Sequence, residues 1–357
     1  MKARAIFLTI ALGAAGEFGL SAGTSAEAPG CAADGKVQFI CGVSSPEDLV
    51  RIPGSEWVVA SGYSGGPIQL VSTRDYRTVP VFPAASAKAR RDPTTYRSCP
   101  GPIDPSEKEK FSAHGVNVQQ GKNGVHTVYV VHHGLRESIE LFEVDVKPQT
   151  PTFTWIGCVI APDTAVLNGV TPLPDEGFAA TNPYRRGDAN ARARAQAGGN
   201  SGEAWEWHSG SGWSVIPGSE GPGPNGIEVS KDGRWLYINF WPASKVMRLS
   251  RGQTPVKKDV FDVPFHPDNI RWQPDGTLFS AGHYAPTMER SVECLRVNCA
   301  DAAARVARIH PRTLKVEQVV NYPSNAAFFG ATAALQVGKE IWIGSVRGDR
   351  IARYPVP

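Results

Sequence analysis

The residues able to do chemistry in this sequence recur in register. Counting back about six residues from successive turns meets one polar position each time. Glu47 precedes Pro53-Gly54, His114 precedes Gly121, Asn168 precedes Pro174-Asp175 and Asn225 precedes Lys231-Asp232. The pair Asp268 and Asn269 precedes Pro274-Asp275, and Thr332 precedes Val337-Gly338. Glu47, Asn168, Asn225, Asp268 and Asn269 offer only oxygen donors, with two formal negative charges and no thiolate. Such a set suits Ca2+, a hard cation that takes six to eight oxygens in flexible geometry; Mg2+ demands a stricter octahedron and keeps more of its water. One Ca2+ is the expected cofactor. His114 brings an imidazole to the same register, and His133 ends the strand that follows the turn. A neutral imidazole beside a dication, oriented by a second imidazole, is a suitable general base for water near neutral pH. Tyr63, His283 and Thr332 are expected to line the same mouth.

Each piece has a plainer reading. Asn168-Gly169 and Asn225-Gly226 are ordinary turn dipeptides, and Asp268-Asn269 after Pro267 reads as another turn. A histidine at a strand end is commonly a packed or solvated residue. The shared register favours the site, because turn chemistry does not require a ligand-type residue at one offset in consecutive repeats.

The elements that must position these residues repeat as well. Six short β-rich strands follow turns: Trp57 to Gly62, Val128 to His133, Gly177 to Asn182, Trp235 to Asn239, Thr277 to His283 and Ile341 to Ser345. Most are followed by a second alternating strand, at Pro67 to Val71, Ser138 to Phe142, Lys245 to Leu249, Arg305 to Ile309 and Arg350 to Tyr354. Ala204 to Trp207 stands for it in the third unit. The pattern predicts an all-β, six-bladed β-propeller whose innermost strands line a central metal-binding channel. A β-sandwich does not predict a repeating unit of this length. The polar insert from Tyr184 to Gly202 and the proline-containing stretch from Ala84 to Lys110 read as long connections, the first a mobile loop.

Met1 to Ala26 has the basic start, apolar run and small-residue end of a secretory signal peptide, which leaves 27–357 as a single propeller domain. No later run is long enough to span a bilayer, so a secreted or periplasmic protein is expected. The formal net charge of +3 carries no broad footprint for nucleic acid. The six cysteines, an even number in an exported chain, favour disulfides, and no Cys-x-x-Cys pair speaks for zinc. Sequence proximity pairs Cys31 with Cys41, Cys99 with Cys158 and Cys294 with Cys299.

Several segments resemble the paraoxonase/arylesterase family of calcium-dependent lactonases, within the six-bladed propeller superfamily of gluconolactonase and strictosidine-synthase-like proteins. They are Pro46-Glu47-Asp48-Leu49, His114-Gly115-Val116, His133 ahead of Ser138 to Phe142, Leu167-Asn168, Asn225-Gly226-Ile227, Asp268-Asn269-Ile270 and the ending from Gly330 to Tyr354. The resemblance implies that Glu47, Asn168, Asn225, Asp268 and Asn269 hold a catalytic calcium and that His114 and His133 form a dyad. Three departures stand against it. Gly169 replaces an acidic residue of the family's second, structural calcium site, leaving Asp48 and the Val116 carbonyl as an incomplete set. The ending Tyr354-Pro355-Val356-Pro357 lacks the family's ring-closing cysteine. The insert from Tyr184 to Gly202 has no counterpart, so substrate specificity does not carry over.

The expected function is therefore calcium-dependent hydrolysis of a small lactone or aryl ester. Two rivals keep the fold: a gluconolactonase-like hydrolase of sugar lactones, and a non-catalytic propeller that binds a ligand or protein, with calcium as a structural plug. A Pictet–Spengler-type synthase has no use for a catalytic metal ring.

Overall fold

The computed structural model describes residues 31–84 and 87–356; the expected signal peptide lies outside them. The described chain folds as a six-bladed β-propeller. Five blades follow in chain order, spanning 46–82, 111–160, 170–215, 224–262 and 266–323, each an antiparallel meander whose first strand is innermost. The sixth takes its three inner strands from 331–355 and its outermost strand, Gln38–Cys41, from the other end of the chain. That antiparallel pairing with Arg350–Pro355 closes the ring. The Cys31–Cys41 disulfide holds the same strand, and the pairs Cys99–Cys158 and Cys294–Cys299 also form as their proximity suggests.

The strands are apolar on both faces because both faces are covered. Successive side chains of a strand point to opposite sides. In Trp57–Gly62, Val59 packs toward the second blade while Val58 and Ala60 pack toward the sixth. The same division holds around the ring. The six large apolar clusters each lie between two adjacent blades, so no blade is stable without its neighbours.

The innermost strands carry a device that the spacing alone does not show. Each of five pairs with its neighbour in a register that slips at one place: between Pro46 and Leu49, Ala113 and Val116, Pro224 and Ile227, Pro267 and Ile270, and Ala331 and Ala333. The residues stepped over are Glu47-Asp48, His114-Gly115, Asn225-Gly226, Asp268-Asn269 and Thr332. A bulge leaves its residues unpaired and re-aims their side chains, so the ring positions are released from the ladder toward the axis. In the third blade Asn168 lies just ahead of the inner strand Val170–Pro172.

Two connections differ from expectation. The insert over 184–202 contains a short helix, α1 (Ala191–Gln196), with Ala191 and Ala195 buried. The stretch over 84–110 is not wholly peripheral, since Cys99 and Ile103 join the core between the first two blades. A second helix, α2 (Met288–Cys294), follows Leu278–Tyr284 in the fifth blade and is capped by the Thr287 side chain.

Candidate metal and general-base site

The bulges bring Glu47, His114, Asn225 and Asp268, and the approach to the third inner strand brings Asn168, to one cavity of about 260 Å3. All but His114 are buried, yet each of those four keeps a buried side-chain oxygen without a hydrogen-bond partner: Oε2 of Glu47, Oδ1 of Asn168, Oδ1 of Asn225 and Oδ1 of Asp268. A buried acceptor left unpaired costs about 1–3 kcal/mol, more when charged. All four belong to residues that line this one cavity, and carboxylate and amide oxygens are the donors a hard cation takes. Burial pushes the Glu47 carboxyl well above the usual range, helped by the charges of Asp268 and Asp48. Burial, then Asp48, raises Asp268 to about 8. Two carboxyls buried on one cavity fit a hard dication, and the neutral amide oxygens beside them fit Ca2+.

Asn269 stands differently. Its Nδ2 donates to Oε1 of Glu47 at 2.8 Å, and Thr332 donates through Oγ1 to the Glu47 carbonyl at 2.6 Å. Both hold Glu47 from behind. Thr332 is buried and does not line the cavity, contrary to expectation. His283 is also away from the mouth. It is buried, with its Nε2 against the Ser291 carbonyl at 3.1 Å and its ring beside Trp241 and His266. Tyr63 does line the cavity, its ring centroid 4.7 Å from that of His114.

The close approach of the inner strands explains Gly115 and also Gly226, which the sequence reads as a turn residue. A Cβ on Gly115 would stand 2.3 Å from the Asn168 carbonyl oxygen, and one on Gly226 would stand 2.5 Å from that of Asp268. His114-Gly115 and Asn225-Gly226 are therefore points where adjacent blades touch through backbone. They are not turns.

Behind His114 runs a line of hydrogen bonds that sets its tautomer. Glu137 accepts from the Leu167 backbone N–H at 2.7 Å and pairs with His133 Nδ1 at 3.0 Å. A carboxylate accepts only, so Nδ1 of His133 carries the proton and its Nε2 accepts. Nε2 lies 2.8 Å from Nδ1 of His114, which must then donate. The remaining nitrogen of His114, Nε2, has its lone pair toward the ring, 3.4 Å from Nδ2 of Asn168 and 3.7 Å from Oε1 of Glu47. Burial, then the neighbouring His133, pushes the His114 imidazole well below its ordinary value, so it is neutral near pH 7. Glu137 escaped the sequence reading because it sits in the short connection between two strands, four residues after His133.

No protein-family model and no curated protein sequence matches this chain. Solved structures do. It is similar to a candidate gluconolactonase at 13% identity and TM-score 0.52, covering 90% of this chain and 92% of that one. A luciferin-regenerating enzyme aligns at 11% identity and TM-score 0.54 over 89% and 94% of the two chains. The PQQ-bound aldose sugar dehydrogenase of Streptomyces coelicolor aligns at 13% identity and TM-score 0.52 over 90% and 98%. At these identities the shared property is the propeller fold. The resemblance to the paraoxonase/arylesterase family rests on the quoted residues alone.

Beneath the ring, Arg271 fills the place where the incomplete second ion set lies. Its Nη2 donates to Oδ2 of Asp48 and to the Val116 carbonyl, its Nη1 to Oε1 of Glu228 at 3.2 Å, and its Nε to the Leu49 carbonyl at 3.3 Å. All three charged groups are buried. Burial raises the Glu228 carboxyl to about 7, against the pull of Arg271 and of hydrogen bonds from Asn117 and Thr171. A tethered guanidinium thus supplies the positive charge that Asp48 and Val116 would otherwise ask of an ion.

Proposed function

We propose that this chain is a calcium-dependent hydrolase of small lactones or carboxylic esters, with Glu47, Asn168, Asn225 and Asp268 as the side chains that hold the ion. One observation carries the reading: four unpartnered buried oxygens and the unprotonated Nε2 of His114 belong to residues that line the same small cavity. When bound there, the ion supplies a Lewis acid for a carbonyl oxygen and neutralises negative charge that develops on it, worth several kcal/mol in typical cases.

The protein's own part is proton handling. Nε2 of His114 takes a proton from a water whose oxygen forms the new bond to the carbonyl carbon. The positive charge on His114 is shared through Nδ1–H with His133, and Glu137 stabilises it from the far side. His114 then returns the proton to the leaving alcohol oxygen as its bond to the carbonyl carbon breaks. One ester or lactone and one water give one acid and one alcohol. The walls formed by Tyr63, Tyr184 and Trp241 exclude bulk water and present apolar surface to the body of the substrate.

The test is an ester and lactone panel, with sugar, alkyl and aryl members, assayed with calcium and with chelator. Activity that disappears on chelation, returns with calcium and is absent from Glu47→Ala and Asp268→Ala supports the reading. Hydrolysis indifferent to chelator and to both substitutions removes the ion from the mechanism. The disulfides fit an oxidising compartment, no helix among the described residues is long and apolar enough to cross a membrane, and we read the chain as an exported enzyme.

A further inference from the structure

The cavity has an acidic floor and a basic rim. Arg192 on α1, Arg296 just past α2, and Arg347 just past the strand Glu340–Ser345 all line it, from three separate segments that cover the mouth. All three are exposed, and among the described residues none has a carboxylate partner. The Arg347 side chain donates through Nε to the Leu295 carbonyl at 3.1 Å, and the Arg192 guanidinium lies over the Tyr184 ring at 5.3 Å.

The other arginines of the same segments are neutralised. Arg185 pairs with Glu203 at 3.0 Å, Arg186 with Glu137 at 3.4 Å and Arg194 with Asp188 at 2.6 Å. Around α2, Arg290 pairs with Asp301 at 2.7 Å, and beyond Arg347, Arg350 pairs with Asp349 at 2.8 Å. The three left without an acid are the three on the cavity. Their field is felt at the cavity wall: the Tyr63 phenol, pushed up by burial and then by Glu47 and Asp268, is drawn back by Arg347 and Arg192.

A guanidinium is a planar fork that matches a carboxylate with paired hydrogen bonds, and an unpaired one in a small apolar-walled cavity is a recognition element for an oxyanion. We propose that the substrate is an anion: a compact ester or lactone that carries a carboxylate at the end opposite its scissile carbonyl, received by Arg192, Arg296 and Arg347. The carbonyl end of this statement rests on the hydrolase reading. The anion end rests on the three arginines alone.

The two are separated by a matched pair, 4-acetoxybenzoate and its methyl ester, with calcium present. Wild-type protein is expected to favour the carboxylate by about tenfold or more in kcat/KM. That preference should shrink as salt is raised to about 0.5 M, where exposed charges are screened. In the triple variant R192A/R296A/R347A it should fall at least about tenfold, and near-UV dichroism reports whether the fold is kept. Equal rates, a preference for the methyl ester, or a preference unchanged in the triple variant overturns the proposal and leaves the hydrolase reading standing. If neither ester is cleaved, calorimetric titration with 4-hydroxybenzoate decides the anion site by itself. Binding that weakens about tenfold or more in the triple variant keeps the anion site. No binding to wild type, or binding unchanged in the triple variant, overturns it, and the ester and lactone panel decides the hydrolase separately.

Discussion

The tautomer of His114 is set two hydrogen bonds away, at Glu137. The line from Glu137 through His133 leaves a single lone pair on the cavity side, and in the proposed reaction it would stabilise the imidazolium formed on His114. Glu137→Gln keeps the shape and removes the charge. It is expected to lower kcat by about 10- to 100-fold and to move the acid limb of the kcat/KM profile to lower pH, because the protonated dyad loses its counter-charge. A purely structural role would leave that limb in place. The two carboxyls of the ring make a second prediction. In the ion-free protein Asp268 rises to about 8 from 3.8, so the folded state binds the proton more tightly than the unfolded chain. Its contribution to stability is complete below about pH 4 and is lost as pH rises through 8. Melting of chelated protein should therefore drop across that window, while protein in excess calcium should not follow it. Calcium affinity should climb with pH over the same range, since the ion displaces protons. The ligand-type residues and His114 were legible because they recur at one offset, and His133 because it ends the strand that follows. Glu137 and Arg271 were not, because neither shares that offset: Glu137 sits in a connection between strands, and Arg271 meets Asp48 only through the fold.

At the scale of the element, the deciding feature is the bulge. The strands and their order were readable from alternation and turn dipeptides, and Trp57–Gly62 and the other five recur where the pattern puts them. The bulges were not readable. Asn225-Gly226 looks the same in sequence whether the chain turns or two backbones meet. The structure decides for the meeting of backbones, which predicts that Gly226→Ala is poorly tolerated. Its Cβ would meet the Asp268 carbonyl oxygen at 2.5 Å and the Asn269 Cα at 2.7 Å. A loss of about 1–3 kcal/mol is expected in urea unfolding, together with weaker calcium binding, because the displaced backbone carries Asp268. A turn glycine of positive φ distant from the ring, such as Gly276, should cost stability on substitution without changing the ion's affinity. The insert over 184–202 is the other element that composition misjudged. Its alanines at 191 and 195 are buried and seat a short helix whose Arg192 lines the cavity.

For the whole molecule, the ring is closed by one short strand. Gln38–Cys41 pairs with Arg350–Pro355, and the last blade depends on that pairing together with the Cys31–Cys41 bond. Cys31→Ser with Cys41→Ser should cost about 2–4 kcal/mol, seen as a lower melting temperature and as early hydrogen exchange in the strands of the sixth blade. The axis is braced by Arg271, which ties the first, second, fourth and fifth blades through Leu49, Asp48, Val116 and Glu228. Arg271→Met leaves Asp48 buried without its counter-charge, so a loss of about 3–5 kcal/mol is expected. The central claim is that the floor of the channel is a calcium site built from Glu47, Asn168, Asn225 and Asp268. Calorimetric titration of calcium into chelated wild type and into the E47Q/D268N variant tests it most directly. One ion per wild-type chain, with binding abolished in a variant that keeps its native dichroism, is the predicted result. No calcium binding by wild type, or equal binding by the variant, would contradict it.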